Sequence, residues 1–243
     1  MTGEANLKER IRRGDPTIGV SLPMTATKAQ IEQIFAKDPA YNFISVDSQH
    51  GPLNESNLVS LCTAAQELGI PVHFRIKHTR YAFQVGNWFD LGPTIIEVPQ
   101  TEEEETVRDA VDFTYYRPQG KRSWGGAARV GSGERSGIPD YTSWWNNFGV
   151  LWMQVESIQA ICNIPRLAAP GVDCISWGPS DLTIDRNLNP LHPLAVSDDA
   201  CVEYAVKALA GTGAKLAYRS YDWNLRDRYL GMGAVVLLER PKP

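Results

Sequence analysis

Eight short runs rich in β-branched and apolar residues recur along the chain, separated by stretches with helical periodicity. The runs are TIGVSL (17–22), FISVD (43–47), VHFRI (72–76), TIIEVP (94–99), VLWMQVE (150–156), VDCISW (172–177), KLAYRS (215–220) and AVVLLE (234–239). Each is too short for a helix and has the length and composition of a buried strand. The intervening segments 26–37, 54–68, 79–90, 101–113, 157–168, 197–211 and 222–231 place apolar residues at helical spacing. Eight strands alternating with helices in 243 residues predict an α/β fold, a (β/α)8 TIM barrel. An open doubly wound sheet is the rival, but SLPMTATK stands where its glycine-rich fingerprint would follow the first strand. No linker, low-complexity segment or internal repeat divides the chain. It therefore reads as a single barrel domain over residues 1–243, with a short N-terminal helix. One long connection, about 114–149, breaks the rhythm; it is either functional or a mobile surface insertion.

Bulk properties exclude several classes. A hydrophobic fraction of 43% with 21% charged residues is enough to bury a sizeable core. With a net charge of −4 there is no basic face for a nucleic-acid partner. The N-terminal MTGEANLKERIRRG has no apolar core of the secretory kind, and no apolar run approaches the roughly 18 residues needed to span a bilayer. A cytoplasmic protein with no membrane partner is expected. Cys62, Cys162, Cys174 and Cys201 lie far apart without CxxC spacing, and read as reduced, buried thiols in place of a zinc site or disulfide frame. Thr101 with Glu104 three residues on has the capping-box pattern, and the acidic run Glu102–Glu105 fits a solvated first helical turn.

In a barrel the chemistry belongs at the C-terminal ends of the strands. Asp47 ends the second run, and His50 follows it in FISVDSQHGP (43–52); Gly51-Pro52 then turn the chain. A capped turn beside a surface histidine is the plain reading of that pair, and an acid/base corner the functional one. Arg75 falls near the end of the third run. Glu156 ends the fifth with Gln154 on the same face, because strand side chains alternate. Asp181 follows the sixth run in WGPSDLT. Each has a structural alternative, a core ion pair for Arg75 and a helix cap for Asp181, but their convergence on one rim favours function. Glu156 and Asp181 are hard oxygen donors with no Cys or His nearby, a set suited to Mg²⁺ or Mn²⁺ with open positions. Such a metal polarises a carbonyl or stabilises an enolate. Imidazole supplies acid/base chemistry near neutral pH, and Arg75 a fork for a carboxylate or oxyanion. Together these describe enolate chemistry on an oxo-acid. Lys215 starts the seventh run, at the far end, and Lys77 lies just beyond the third, so neither suits a Schiff-base nucleophile.

These motifs resemble those of the HpcH/HpaI family of metal-dependent pyruvate aldolases. VDSQHGP is similar to the family's D-x-E-H-G-P, and FRI carries Arg75. FDLG (89–92), VPQTEEE (98–104), YRPQGKRSWGG (116–126), QVES (154–157) and GVDCISWGPSDLT (171–183) match further motifs in order. The resemblance spans roughly residues 7 to 238. It implies a phosphoenolpyruvate/pyruvate-type barrel, with Glu156 and Asp181 as ligands of Mg²⁺ or Mn²⁺ and Co²⁺ as a third candidate. It implies His50 as base with Asp90 as its orienting carboxylate, and Arg75 as the enolate's partner. Gln154 and the turn Gly178-Pro179-Ser180-Asp181 would bind substrate, the amides of Ser180 and Asp181 receiving its carboxylate. The implied reaction is cleavage of a 4-hydroxy-2-oxo acid to pyruvate and an aldehyde.

Two departures stand out. Gln49 occupies the place of the family's Glu, which removes a charge beside the site. The chain also ends just after AVVLLE, with no room for an eighth helix, so one apolar face of that strand is expected to need cover from another subunit. A homo-oligomer, trimer or hexamer, would provide it; a shortened chain is the alternative. His73 shares a face with Arg75, and reads either as a pocket residue or as a hydrogen-bonded core histidine. Three functions remain open: the aldolase, the same enolate chemistry redirected to oxaloacetate decarboxylation or carbon–carbon bond formation, and a binding or scaffold barrel without catalysis.

Overall fold

All eight runs form strands in a computed structural model that describes residues 6–243: β1 (Thr17–Ser21), β2 (Tyr41–Asp47), β3 (Val72–Arg75), β4 (Ile95–Val98), β5 (Val150–Val155), β6 (Cys174–Trp177), β7 (Lys215–Arg219) and β8 (Val236–Glu239). Every neighbouring pair is parallel and β1 also pairs with β8, so the sheet closes in sequence order. Parallel neighbours require a crossover, and the helices supply it on the outside. The (β/α)8 barrel expected from the sequence is the fold observed.

The strand registers order the inward side chains into layers of four drawn from alternate strands, as in other barrels of this kind. Lowest are Phe43, Ile95, Cys174 and Val236, then Gly19, His73, Trp152 and Ala217. A Cβ on Gly19 would lie 2.3 Å from the Phe43 ring, so this apolar plug closes only around a glycine. Above it comes Ser45, Glu97, Ser176 and Leu238, and above that Ser21, Arg75, Gln154 and Arg219. The barrel interior thus changes from apolar to polar within two layers as it rises towards the C-terminal rim.

The helix Leu7–Arg13 seals the bottom. Ile11 is fully buried in the interior cluster, and Lys8 Nζ reaches Asp173 Oδ2 at 2.7 Å, the Tyr115 hydroxyl at 2.8 Å and the Gly149 carbonyl at 2.6 Å. The connection 114–149 is no loose insertion. It contains the helix Ile138–Asn146, buries Tyr141 and Trp145, and lays the Arg122 guanidinium 4.3 Å from the Trp145 ring.

Several expectations are corrected. Val236, Leu237, Leu238 and Glu239 are all fully buried by the chain itself, so β8 has no bare apolar face that calls for a second subunit. Glu239 accepts Arg226 Nε at 2.9 Å, and Arg226 also holds Asp38 at 2.7 Å, fastening the outside of that strand. The Thr101/Glu104 capping box does not form. The helix runs Glu104–Thr114 with no side-chain cap, while fully buried Thr101 donates its hydroxyl to the Val98 carbonyl. Closing the barrel over the end of β4 takes Thr101 into the core, away from the helix start. A complete capping box occurs instead at Thr27/Gln30. Cys62, Cys174 and Cys201 are buried free thiols, but Cys162 is exposed.

Candidate active site

The turn after β2 is built by its own short residues. Ser48 donates its hydroxyl to the Arg75 carbonyl at 2.7 Å, joining the ends of β2 and β3. A Cβ on Gly51 would stand 2.6 Å from the Asp47 carbonyl oxygen, so the chain turns this tightly only with glycine. His50 emerges exposed on this rim and makes no side-chain hydrogen bond among the described residues.

Asp47 is not partnered by His50. Arg75 takes both of its oxygens, Nε to Oδ1 at 2.8 Å and Nη2 to Oδ2 at 2.6 Å, and the Gln49 amide adds a bond to Oδ1 at 2.9 Å. Burial works to raise the Asp47 carboxyl, but the Arg75 hydrogen bonds and charge outweigh it and hold the group below its ordinary value. The fork geometry is the reason: a guanidinium matches a carboxylate edge to edge, whereas an imidazole three residues along the same turn does not. The third side of Arg75 donates through Nη1 to Gln154 Oε1 at 3.1 Å. Arg75 is thus locked from two strands.

Glu156 is the odd group. It is 7% exposed, and among the described residues neither carboxylate oxygen has a hydrogen-bond partner. Burial first, then the charge of Asp181, push its carboxyl up to about 7. Asp181 lies in the first turn of the helix Pro179–Leu188, whose N-cap is Gly178. A Cβ on Gly178 would fall 2.8 Å from Glu156 Oε1 and 3.1 Å from Gln154 Nε2. Glycine there lets the helix N-terminus approach both side chains. Among the described residues no three His, Cys, Asp or Glu side chains form a metal cage, so this is a two-carboxylate site and not a closed one.

Asp90 stands elsewhere. It caps the helix Val85–Phe89 before β4 begins, and Arg122 Nη2 holds its Oδ1 at 2.7 Å. Everything between a helix and the next parallel strand lies at the N-terminal rim, whereas His50 follows the C-terminal end of β2. Within one chain the expected His50–Asp90 pair is therefore not made. Burial raises the Asp90 carboxyl despite Arg122 beside it.

Beneath the site lies a network that sequence reasoning passed over. Glu97 is fully buried, accepts from Ser176 Oγ through Oε1, and pairs with Arg219 Nη2 through Oε2. His73 Nε2 is 3.2 Å from the same Oε2, and its Nδ1 is 2.9 Å from Ser45 Oγ. His73 is thus a core histidine, and burial lowers its pKa. Burial works to raise Glu97, but Arg219 and His73 hold it well below its usual range. The signal was present in the sequence: a charge in the middle of TIIEVP and another near the end of KLAYRS, each on the inward face by alternation.

Among the described residues no helix is long and apolar enough to cross a membrane. The chain is 28% identical over 238 residues to the 4-hydroxy-2-oxo-heptane-1,7-dioate aldolase of Shigella flexneri, covering 96% of this chain and 85% of that one. Its fold matches the crystal structure of an HpcH/HpaI aldolase from Desulfitobacterium hafniense, with a TM-score of 0.81 at 23% identity, over 98% of this chain and 90% of that one. The citrate synthase SbnG has the same fold, with a TM-score of 0.77 at 21% identity, over 98% and 91%. The sequence profile of the HpcH/HpaI aldolase/citrate lyase family matches residues 40–190, more than half of the chain. With a closed parallel barrel carrying Arg75, Gln154, Glu156 and Asp181 at one rim, the chain belongs to the HpcH/HpaI aldolase/citrate lyase family.

Proposed function

We propose that this chain is a divalent-metal-dependent carbon–carbon lyase that cleaves a 4-hydroxy-2-oxo acid to pyruvate and an aldehyde. The observation that carries this reading is Glu156, a buried carboxylate with both oxygens unpartnered beside a second carboxylate. A buried, unpartnered carboxylate beside a second one costs several kcal/mol to keep charged, unless a cation sits between them. Hard oxygens in an open two-ligand set fit Mg²⁺ or Mn²⁺ with water and substrate in the remaining positions. Glu156 and Asp181 would hold that ion. When bound, it supplies Lewis-acid polarisation of the substrate's 2-oxo group.

The chain's own residues do the rest. Arg75, fixed by Asp47 and Gln154, places N–H donors where negative charge grows on the enolate oxygen, and preorganised donors of this kind need no rearrangement during reaction. The amides of Ser180 and Asp181, in the first turn of the helix Pro179–Leu188, receive the substrate carboxylate. His50, exposed and free of side-chain partners, takes the 4-hydroxyl proton, directly or through a water. The C3–C4 bond then breaks, its electrons passing to the enolate while the aldehyde departs. The name of the Shigella flexneri relative supports this substrate class.

The test is proton–deuterium exchange at the pyruvate methyl group, followed by NMR with EDTA and with added Mn²⁺ or Mg²⁺. Exchange that needs the metal is expected, and the preferred ion identifies the cofactor. Absence of exchange with any divalent ion sinks the lyase reading.

A further inference from the structure

The upper barrel interior contains a cation to which the lyase reading gives no task. Arg219 lies on β7, facing inward in the same layer as Arg75, Gln154 and Ser21. The registers pair Val155 with Trp177 and Trp177 with Tyr218. One step further along the strands, the same rows bring Glu156, Gly178 and Arg219 side by side. Arg219 is therefore the strand neighbour of the glycine that opens the helix Pro179–Leu188. It is 3% exposed against 5% for Arg75, so the two side chains are buried to a similar degree.

Its hydrogen bonding is incomplete. A guanidinium carries five N–H donors in a rigid fork. Glu97 engages Nη2, and buried Nε has no partner among the described residues. Glu97 has little left to offer, because Oε1 accepts Ser176 and Oε2 is shared with His73. A buried guanidinium with unfilled donors, beside a helix N-terminus, calls for an anion. Among the described residues none fills these donors: Asp47 is already bidentate on Arg75, and neighbouring Glu156, whose charge Arg219 feels, makes no hydrogen bond to it.

We propose that Arg219 is a second anchor for the carboxylate of the 2-oxo acid, gripping it from the barrel interior while the first-turn amides of Pro179–Leu188 hold it from the side. Glu97 pairs with the guanidinium and competes with the ligand for its charge. This rests on the lyase reading above. It goes beyond that reading in giving the carboxylate subsite a charged side chain and in predicting where its loss is felt. The carboxylate keeps its charge throughout the reaction, so its anchor binds ground state and transition state alike. Loss of Arg219 then appears in KM and Kd, not in kcat.

The experiment titrates pyruvate calorimetrically into the Mn²⁺-loaded full chain, alongside KM and kcat for methyl exchange. Arg219→Met combined with Glu97→Gln removes both members of the buried pair, so that neither charge is left alone. Pyruvate should bind this double variant about tenfold more weakly, with KM raised equally and kcat within about threefold. Glu97→Gln alone frees Arg219 and should bind pyruvate at least as tightly as the wild type. Should the double variant fail to fold, Arg219→Lys, which keeps the charge but loses the fork, is expected to weaken binding about threefold. Unchanged affinity after loss of Arg219 overturns the proposal. So does a Glu97→Gln variant that weakens as much as the double variant, because the pair would then only shape the interior. A wild type without metal-dependent exchange sinks the lyase reading instead, and the titration still judges Arg219. A wild type that does not bind pyruvate overturns both.

Discussion

Asp173 precedes β6 at the N-terminal end of the barrel wall, and Glu156 follows β5 at the C-terminal end. Both are nearly buried, at 3% and 7% exposure. Asp173 takes Lys8 Nζ at 2.7 Å, the Leu151 amide at 3.0 Å and the Tyr115 hydroxyl at 3.3 Å. Glu156 has no donor on either oxygen among the described residues. A buried carboxylate with its donors in place fastens the fold, here by tying the N-terminal helix to the barrel floor. A buried carboxylate without donors costs stability and is retained where something from outside completes it. Burial alone does not separate the two. The donor count does.

The comparison is open to attack at both ends. The largest effect is expected at Glu156: Glu156→Gln should reduce metal-dependent pyruvate exchange by about a thousandfold or more, the scale of losing a group that acts in the transition state. Its metal-free melting temperature should hold or rise, since an unpaired charge is removed; a large loss of stability would make Glu156 structural after all. At the other rim, Asp173→Ala leaves Lys8 buried and unpaired, and should cost about 3–5 kcal/mol in urea denaturation. Exchange by the fraction that remains folded should persist. If Asp173→Ala is as stable as wild type, the division between the rims fails.

Acid titration tests the layer between them. Glu97 titrates below its unfolded value of 4.5 when folded. Its contribution to stability is therefore complete above that value and is lost as the pH falls through the acid range towards the folded pKa. For one such group the slope is at most about 1.4 kcal/mol per pH unit. Urea melts between pH 6 and 3 should show a decline that is flatter in Glu97→Gln; an equal slope in the two proteins would mean that Glu97 is not held ionised in the fold. The smallest change is expected from Gln49→Glu. It places a charge on a buried, unpartnered oxygen beside Asp47, so exchange should shift by less than about tenfold and stability fall by about 1 kcal/mol. A complete loss of exchange would show that the neutral side chain is required for the chemistry.

Arg75, Gln154, Glu156 and Asp181 were legible because strand alternation and the C-terminal-rim rule both act locally: each lies at a recognisable strand exit and faces inward. Glu97 and Arg219 were equally inward by alternation, yet they read as incidental charges. Nothing in TIIEVP shows that a residue 122 positions away on β7 completes it. Within one chain Asp90 does not meet His50, for a related reason. Its motif carried a role, but its position in the helix–strand connection puts it at the opposite end of the barrel from His50. Asp47 was assigned to its neighbour in sequence, whereas a guanidinium on the adjacent strand has the better geometry. The Thr101 capping box failed because barrel closure outweighed a local pattern worth about 1 kcal/mol.

The sequence by itself determined the barrel, the order of its strands and the inward face of each, because hydrophobic period and turn residues act over a few neighbouring positions. The tertiary structure alone decided which charges meet. Asp47 goes to Arg75, Glu97 to Arg219, Asp173 to Lys8, and Glu156 to none of the described side chains. Partnership depends on strand register and closure, which join residues far apart in the chain and leave no periodicity behind to be read.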